Sequence, residues 1–95
     1  MEIIGAHKTS VFTDDDNFTK VIYHSTCVVS FNRNIIVLNT GGWYSCTTKK
    51  RMNQASEQFN LGYRVTKRKG IWYALYKGQE LEFLSDKLIL DRVNV

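Results

Sequence analysis

The residues with the most chemical content lie in one run, Asn39-Thr40-Gly41-Gly42-Trp43-Tyr44-Ser45-Cys46-Thr47-Thr48-Lys49-Lys50-Arg51-Met52-Asn53-Gln54. An apolar stretch ends at its start, and the one convincing helical pattern begins inside it. A helix start carries unpaired backbone N–H groups and the positive end of the helix dipole. Hydroxyls and cations gathered there, in this case Thr47, Thr48, Lys49, Lys50 and Arg51, make an anion site suited to phosphate. The same cations oppose the dipole, each by about a few tenths of a kcal/mol, and local rules are most often broken at functional sites. The competing reading is a solvated cationic face that tolerates the penalty. The order Gly-Lys-Ser/Thr is absent, so the Gly41-Gly42 pair does not start a nucleotidase loop.

A second set follows. Arg64, Lys67, Arg68 and Lys69 are interleaved with Tyr63, Trp72, Tyr73 and Tyr76. Cations that neutralise phosphate beside aromatics that stack on bases suit single strands or nucleotides. Alternatively, the aromatics fill a thin core and the cations guard an edge strand against aggregation. The candidate ligand-binding residues are therefore Thr47, Thr48, Lys49, Lys50, Arg51, Trp43, Arg64, Arg68 and Trp72.

Catalysis is not expected. Nucleophilic chemistry needs a nucleophile, a base and an orienting group. The imidazoles, His7 and His24, lie in no recognisable setting. Gly-x-Ser-x-Gly, His-Glu-x-x-His and Cys-x-x-Cys are all missing. The run Asp14-Asp15-Asp16 lacks the spacing and central glycine of a calcium loop. Scattered Cys and His argue against zinc. No metal and no cofactor is expected.

The chain has 95 residues, enough for one domain spanning residues 1–95 with a thin core. A net charge of +4 permits phosphate-bearing partners without requiring them, and argues against nucleic-acid mimicry. Two cysteines are too few for a secreted disulfide scaffold, so Cys27 and Cys46 are expected as free thiols. Met1 to Gly5 lacks the basic and apolar regions of a signal peptide. No apolar run approaches about 18–20 residues, so no membrane span is expected. Strand edges and exposed aromatics tip the balance towards a homodimer.

The elements that would position these groups read as strands around a single helix. Weak strand signals lie at Ile3-Ile4 and Val11-Phe12. Lys20 to Phe31 reads as one long strand, with Val21, Tyr23, Cys27, Val29 and Phe31 on its core face and His24 on the other. Asn32-Arg33-Asn34 is a turn and Ile35 to Leu38 the returning strand. The helix is expected over Thr48–Asn60 with Thr47 as N-cap. Met52, Ala55 and Phe59 form its core stripe, Lys50, Asn53, Gln54 and Glu57 face away, and Gly62 stops it. Tyr63–Arg68, Ile71–Tyr76, Glu80–Leu84 and Leu88–Leu90 complete the strands. The fold class is α+β, a small mainly antiparallel sheet with one central helix packed on it.

The run Leu38-Asn39-Thr40-Gly41-Gly42-Trp43 with Thr47-Thr48-Lys49-Lys50-Arg51-Met52-Asn53-Gln54 resembles a motif of small proteins encoded by tailed bacteriophages. Gly62-Tyr63-Arg64-Val65 and Trp72-Tyr73 extend the resemblance over roughly residues 20–90. It implies a phage accessory protein acting in the cytoplasm of an infected bacterium. Such proteins often act on host machinery, including antiviral defence, by sequestering a nucleotide signal or by binding a host protein. Two functions follow. One is non-catalytic binding of a phosphate-bearing ligand, nucleotide or nucleic acid, at the basic helix start. The other is inhibition of a host bacterial protein docked on the same basic and aromatic surface. Either setting predicts two free thiols by titration of promptly alkylated protein. Quantitative disulfide in fresh lysate would overturn that expectation.

Overall fold

The computed structural model describes residues 9–42 and 44–93. Their elements run β1 (Thr9–Thr13), β2 (Thr19–Tyr23), β3 (Thr26–Phe31), β4 (Ile35–Asn39), α1 (Cys46–Gln58), β5 (Tyr63–Arg68), β6 (Ile71–Tyr76), β7 (Gln79–Glu82) and β8 (Lys87–Asp91). The α+β class holds, with every strand pair antiparallel. The strands divide into a five-stranded sheet, β1-β2-β3-β4-β8, and a three-stranded sheet, β5-β6-β7. The helix and the smaller sheet are thus inserted between β4 and the strand that pairs with it, β8. The expected strand at Ile3-Ile4 lies outside the described residues.

The expected long strand over Lys20–Phe31 is two strands. His24 adopts a left-handed backbone, φ 57°, and with Ser25 turns the chain between β2 and β3. Pairing then runs Tyr23↔Thr26 and Ile22↔Cys27 but Val21↔Val29, leaving Val28 as a bulge. A bulge shifts the alternation by one residue. Cys27 therefore shares a face with Ile22 and is half-buried rather than a core residue, while Val28 and Val29 are both buried. Burial nevertheless pushes the Cys27 thiol above its ordinary pKa.

The other turns follow local chemistry. Asn32 Oδ1 accepts the N–H groups of Asn34 and Ile35 at 2.8 and 2.9 Å. Lys69-Gly70 and Lys77-Gly78 both have positive φ throughout, as two-residue hairpins require. The strand expected over Glu80–Leu84 starts one residue earlier and ends at Glu82; Phe83 still donates its N–H to the Trp72 carbonyl at 3.0 Å and buries its ring in the core.

The helix begins and ends earlier than the Thr48–Asn60 expected. Ser45, not Thr47, is the N-cap, and its Oγ accepts the Thr48 N–H at 3.2 Å. At the far end Leu61 N–H reaches the Ser56 carbonyl at 2.9 Å and Asn60 N–H the Glu57 carbonyl at 3.4 Å. This is a Schellman termination with Asn60, φ 54°, as its left-handed residue. Gly62 follows the stop rather than making it. Met52 and Ala55 are fully buried, whereas Phe59 is half-buried against Phe31, ring centroids 5.1 Å apart. Truncating it should therefore cost less than the roughly 3–5 kcal/mol of a fully buried phenylalanine.

Lys50 and Glu57 face solvent as expected, but Gln54 is buried and Asn53 is turned inward onto β5. Asn53 Oδ1 accepts the Val65 N–H at 2.7 Å and Asn53 Nδ2 donates to the Val65 carbonyl at 3.0 Å. One step along, Ser56 Oγ donates to the Tyr63 carbonyl at 2.7 Å and accepts the Tyr63 N–H at 3.1 Å. Two helix side chains thus occupy the edge of β5 that a further strand would take. The Tyr63 hydroxyl donates to the Met52 carbonyl from a buried position, and burial holds that phenol protonated well above its usual range. Asn53→Ala should leave both Val65 backbone groups unpaired and cost about 1–3 kcal/mol in urea unfolding. Lys50→Ala, exposed on the same helix, should stay within about 0.5 kcal/mol. Equal, small losses would remove the edge role.

Candidate functional site

The Asn39–Arg51 run leads from the end of β4 into α1. Asn39 Oδ1 accepts the Gly41 N–H at 3.0 Å, and Thr40 Oγ1 accepts the Gly42 N–H at 3.1 Å. Thr40 is buried and is tied to the turn before β8, its N–H donating to the Asp86 carbonyl at 2.8 Å and its hydroxyl reaching the Asp86 carboxylate at 3.4 Å. The Tyr44 hydroxyl donates to the same carboxylate at 2.8 Å, which raises its pKa. Gly41 has φ 62°, and a Cβ there would stand 2.7 Å from the Thr26 methyl. Only glycine lets the turn close onto the β2–β3 hairpin.

That closure encloses a cavity of about 360 Å³ at the start of α1, lined by Tyr23, His24, Ser25, Thr26, Val28, Thr40, Ser45, Thr47 and Thr48. Six of these carry aliphatic hydroxyls, and none is a carboxylate. Thr48 is buried and its hydroxyl lies 3.1 Å from that of Ser45. Ser45 satisfies the Thr48 N–H, and the Ser45 carbonyl takes the Lys49 N–H. The Cys46 and Thr47 N–H groups, one step nearer the helix start, remain for a ligand or water. Tyr23 and His24 form the aromatic wall, ring centroids 4.4 Å apart in an edge arrangement.

Of the expected site residues, Thr47 and Thr48 line this cavity. Arg51 stands behind its wall, the guanidinium 5.4 Å from the Tyr23 ring centre and 3.0 Å from Gln54 Oε1, with a buried Nε that has no partner among the described residues. Lys49 is half-buried and Lys50 exposed in the first turns, where no acidic residue offsets them. Trp43 lies outside the described residues. Arg64 and Arg68 are on the solvent face of β5, away from the cavity. Arg68 is already held, forking onto both oxygens of Glu80 at 2.6 and 2.9 Å and lying 4.7 Å over Tyr73. The pairing lowers the Glu80 pKa and raises that of Arg68.

Trp72 needs correction as a base-stacking residue. It is about 4% exposed and packs edge-on against Tyr44 and Phe83 at 5.3 and 6.1 Å. Its ring is core. The cavity residues that sequence reasoning passed over are Tyr23, His24, Ser25, Thr26, Val28, Thr40 and Ser45. The polar break His24-Ser25-Thr26 inside an apolar run was the available signal, but it lacks the Gly, Asn or Pro that usually marks a hairpin. Among the described residues, no group of His, Cys, Asp and Glu could hold a metal ion. No helix among them is long and apolar enough to cross a membrane.

The N-cap assignment predicts a difference between neighbours. Ser45→Ala should cost about 0.5–2 kcal/mol of stability, whereas Thr47→Ala should be neutral or slightly stabilising through helix propensity. The reverse order in thermal or urea unfolding would restore Thr47 as the cap.

Residues 2–89 match the protein family described as Kyanoviridae Gp96 protein. No curated protein and no solved structure matches the chain.

Proposed function

The chain belongs to the Kyanoviridae Gp96 family, a family of small phage proteins, and on that premise we propose that it is a non-catalytic accessory protein that binds a phosphate-bearing small molecule. The binding site is the cavity at the start of α1. One observation carries this reading: the cavity opens at a helix N-terminus, six of its nine lining residues carry aliphatic hydroxyls, and no carboxylate is among them. An anion entering it meets hydroxyl donors, the free N–H groups of the first turn and the positive end of the dipole. Lys49, Lys50 and Arg51 add long-range attraction. The Tyr23 and His24 rings offer a wall for a base, and Thr47 and Thr48 hold the phosphate. Small-molecule sites span about 300–1,000 Å³, so about 360 Å³ fits one mononucleotide rather than a nucleic-acid strand. Sequestering a nucleotide signal in the infected bacterial cytoplasm would serve a phage against host defence.

A second reading has its own support. Arg64, Lys67 and Lys69 are exposed on β5 and its turn, apart from the cavity. Exposed cations without a cavity suit an acidic surface of a host protein better than a small ligand.

A thermal-shift screen with cyclic and linear nucleotides, ADP-ribose derivatives and short DNA and RNA tests both. A ligand at 100 times its Kd should add roughly 2.7 kcal/mol of stability. Thr47→Glu should abolish the shift by placing a carboxylate at the cavity while favouring the helix dipole, so its own melting temperature should not fall. Lys49→Ala/Arg51→Ala should weaken the shift. If no nucleotide or nucleic acid moves the melt, and a host lysate yields one stoichiometric protein lost with Arg64→Glu/Lys67→Glu, the docking reading replaces the first.

A further inference from the structure

The three-stranded sheet buries one face and leaves the other bare. Residues directly paired across an antiparallel ladder share a face. Arg64, Leu75 and Glu80 therefore lie in one line across the outer face, Thr66, Tyr73 and Glu82 in the next, and Arg68 with Ile71 in a third. Ile71 is 41% and Leu75 42% exposed, with Arg64, Arg68, Glu80 and Glu82 exposed beside them, so no described element covers this face.

Along the strands the face has three rows. The cations are on β5, the apolar side chains in the middle on β6, and the carboxylates on β7. Arg68 leans across the middle row, 4.7 Å over the Tyr73 ring, and forks onto Glu80. That pair is satisfied within the chain. Arg64 and Glu82 are in no ion pair among the described residues, and they stand on opposite sides of the apolar row.

We propose that this face packs on the same face of a second copy, about a two-fold axis running along β6. The occupant follows from the order of the rows. A matching surface needs an apolar centre, carboxylates over the β5 row and cations over the β7 row. The face itself, turned over about the β6 direction, has that order. Ile71 and Leu75 then meet their own copies on the axis. Arg64 of each chain meets the partner's β7 row, with Glu80 opposite and Glu82 one ladder step along. A two-fold axis across the strands would instead set the β5 rows over one another, like charge on like, which is costly. The contact is isologous and closes as a dimer. Three strands about 4.8 Å apart make a small face, so the association is reversible. None of the residues lining the cavity at α1 lies on these strands, so the dimer stands or falls apart from the ligand reading.

Sedimentation equilibrium should show a reversible species of twice the 11.0 kDa chain mass. Arg64→Glu and Glu82→Lys should each raise the dimer Kd by roughly tenfold or more, with the monomer melting as wild type does. An equimolar mixture of the two variants should associate again, because each then supplies the charge that the other lacks. Leu75→Lys, which brings two ammoniums together on the axis, should also weaken the dimer. Lys87→Glu, the same change of charge placed on β8 in the other sheet, should leave it unchanged. A chain that stays monomeric at every concentration overturns the proposal. So does a dimer indifferent to Arg64→Glu and Glu82→Lys, or a mixture of these two variants that associates no better than either alone.

Discussion

The fold depends on a helix doing the work of a strand. A buried strand edge has backbone N–H and C=O groups that must find partners. β5 has β6 on one side and, on the other, Asn53 and Ser56 of α1, each giving one donor and one acceptor. The two side chains are three apart on a helix, on one face, and meet residues two apart on a strand. A helix rises about 1.5 Å per residue and a strand about 3.3 Å, so the steps differ by only about 2 Å and side-chain length absorbs it. This joint orients the smaller sheet on the helix. The helix in turn packs on β2 and β3, and one core cluster runs through both sheets.

The second constraint is the return of the chain. β8 pairs with β4 only after the helix and three strands have intervened. Both ends of that pairing are tied: Thr40 and Tyr44 to Asp86 at one end, Arg92 to the Asn34 and Asn32 carbonyls at the other. The ties at Asp86 bear on the shape of the cavity. They fix the turn through Thr40 and Gly41 against Thr26, and so hold the helix start beside the β2–β3 hairpin. A helix N-terminus standing alone in water binds anions weakly because water competes for its N–H groups. Here the hairpin walls it and leaves a lined cavity.

Charge is arranged in two separate places. The first turns of α1 carry cations and no acid, a local cost that the packing of Met52 and Ala55 easily carries. On β5, Arg68 is neutralised by Glu80 across the sheet, while Arg64 is exposed on the same face. A surface ion pair of this exposure contributes little to stability. Its effect is to screen the Tyr73 ring and to remove one cation from the free basic set.

Periodicity and composition alone settled the α+β class, the helix face carrying Met52 and Ala55, the hairpin at Asn32-Arg33-Asn34 and the two glycine turns after Arg68 and Tyr76. Each of these is local: a repeat of 3.6 or 2, or a residue able to adopt positive φ. That the chain is a small phage protein was legible too. Tertiary structure decided the rest. The turn at His24-Ser25 and the bulge at Val28 exist because pairing with β2 forces them, and they moved Cys27 off the core face. Asn53 looked like a solvent residue because its partner, Val65, lies in another element. Trp72 looked like a stacking platform, but an aromatic in an alternating strand can face either way, and only packing against Tyr44 and Phe83 sends it inward. The cavity draws on two segments, Tyr23–Val28 and Thr40–Thr48, that no pattern links, since what joins them is the approach of Gly41 to Thr26 and the hold of Asp86 on Thr40.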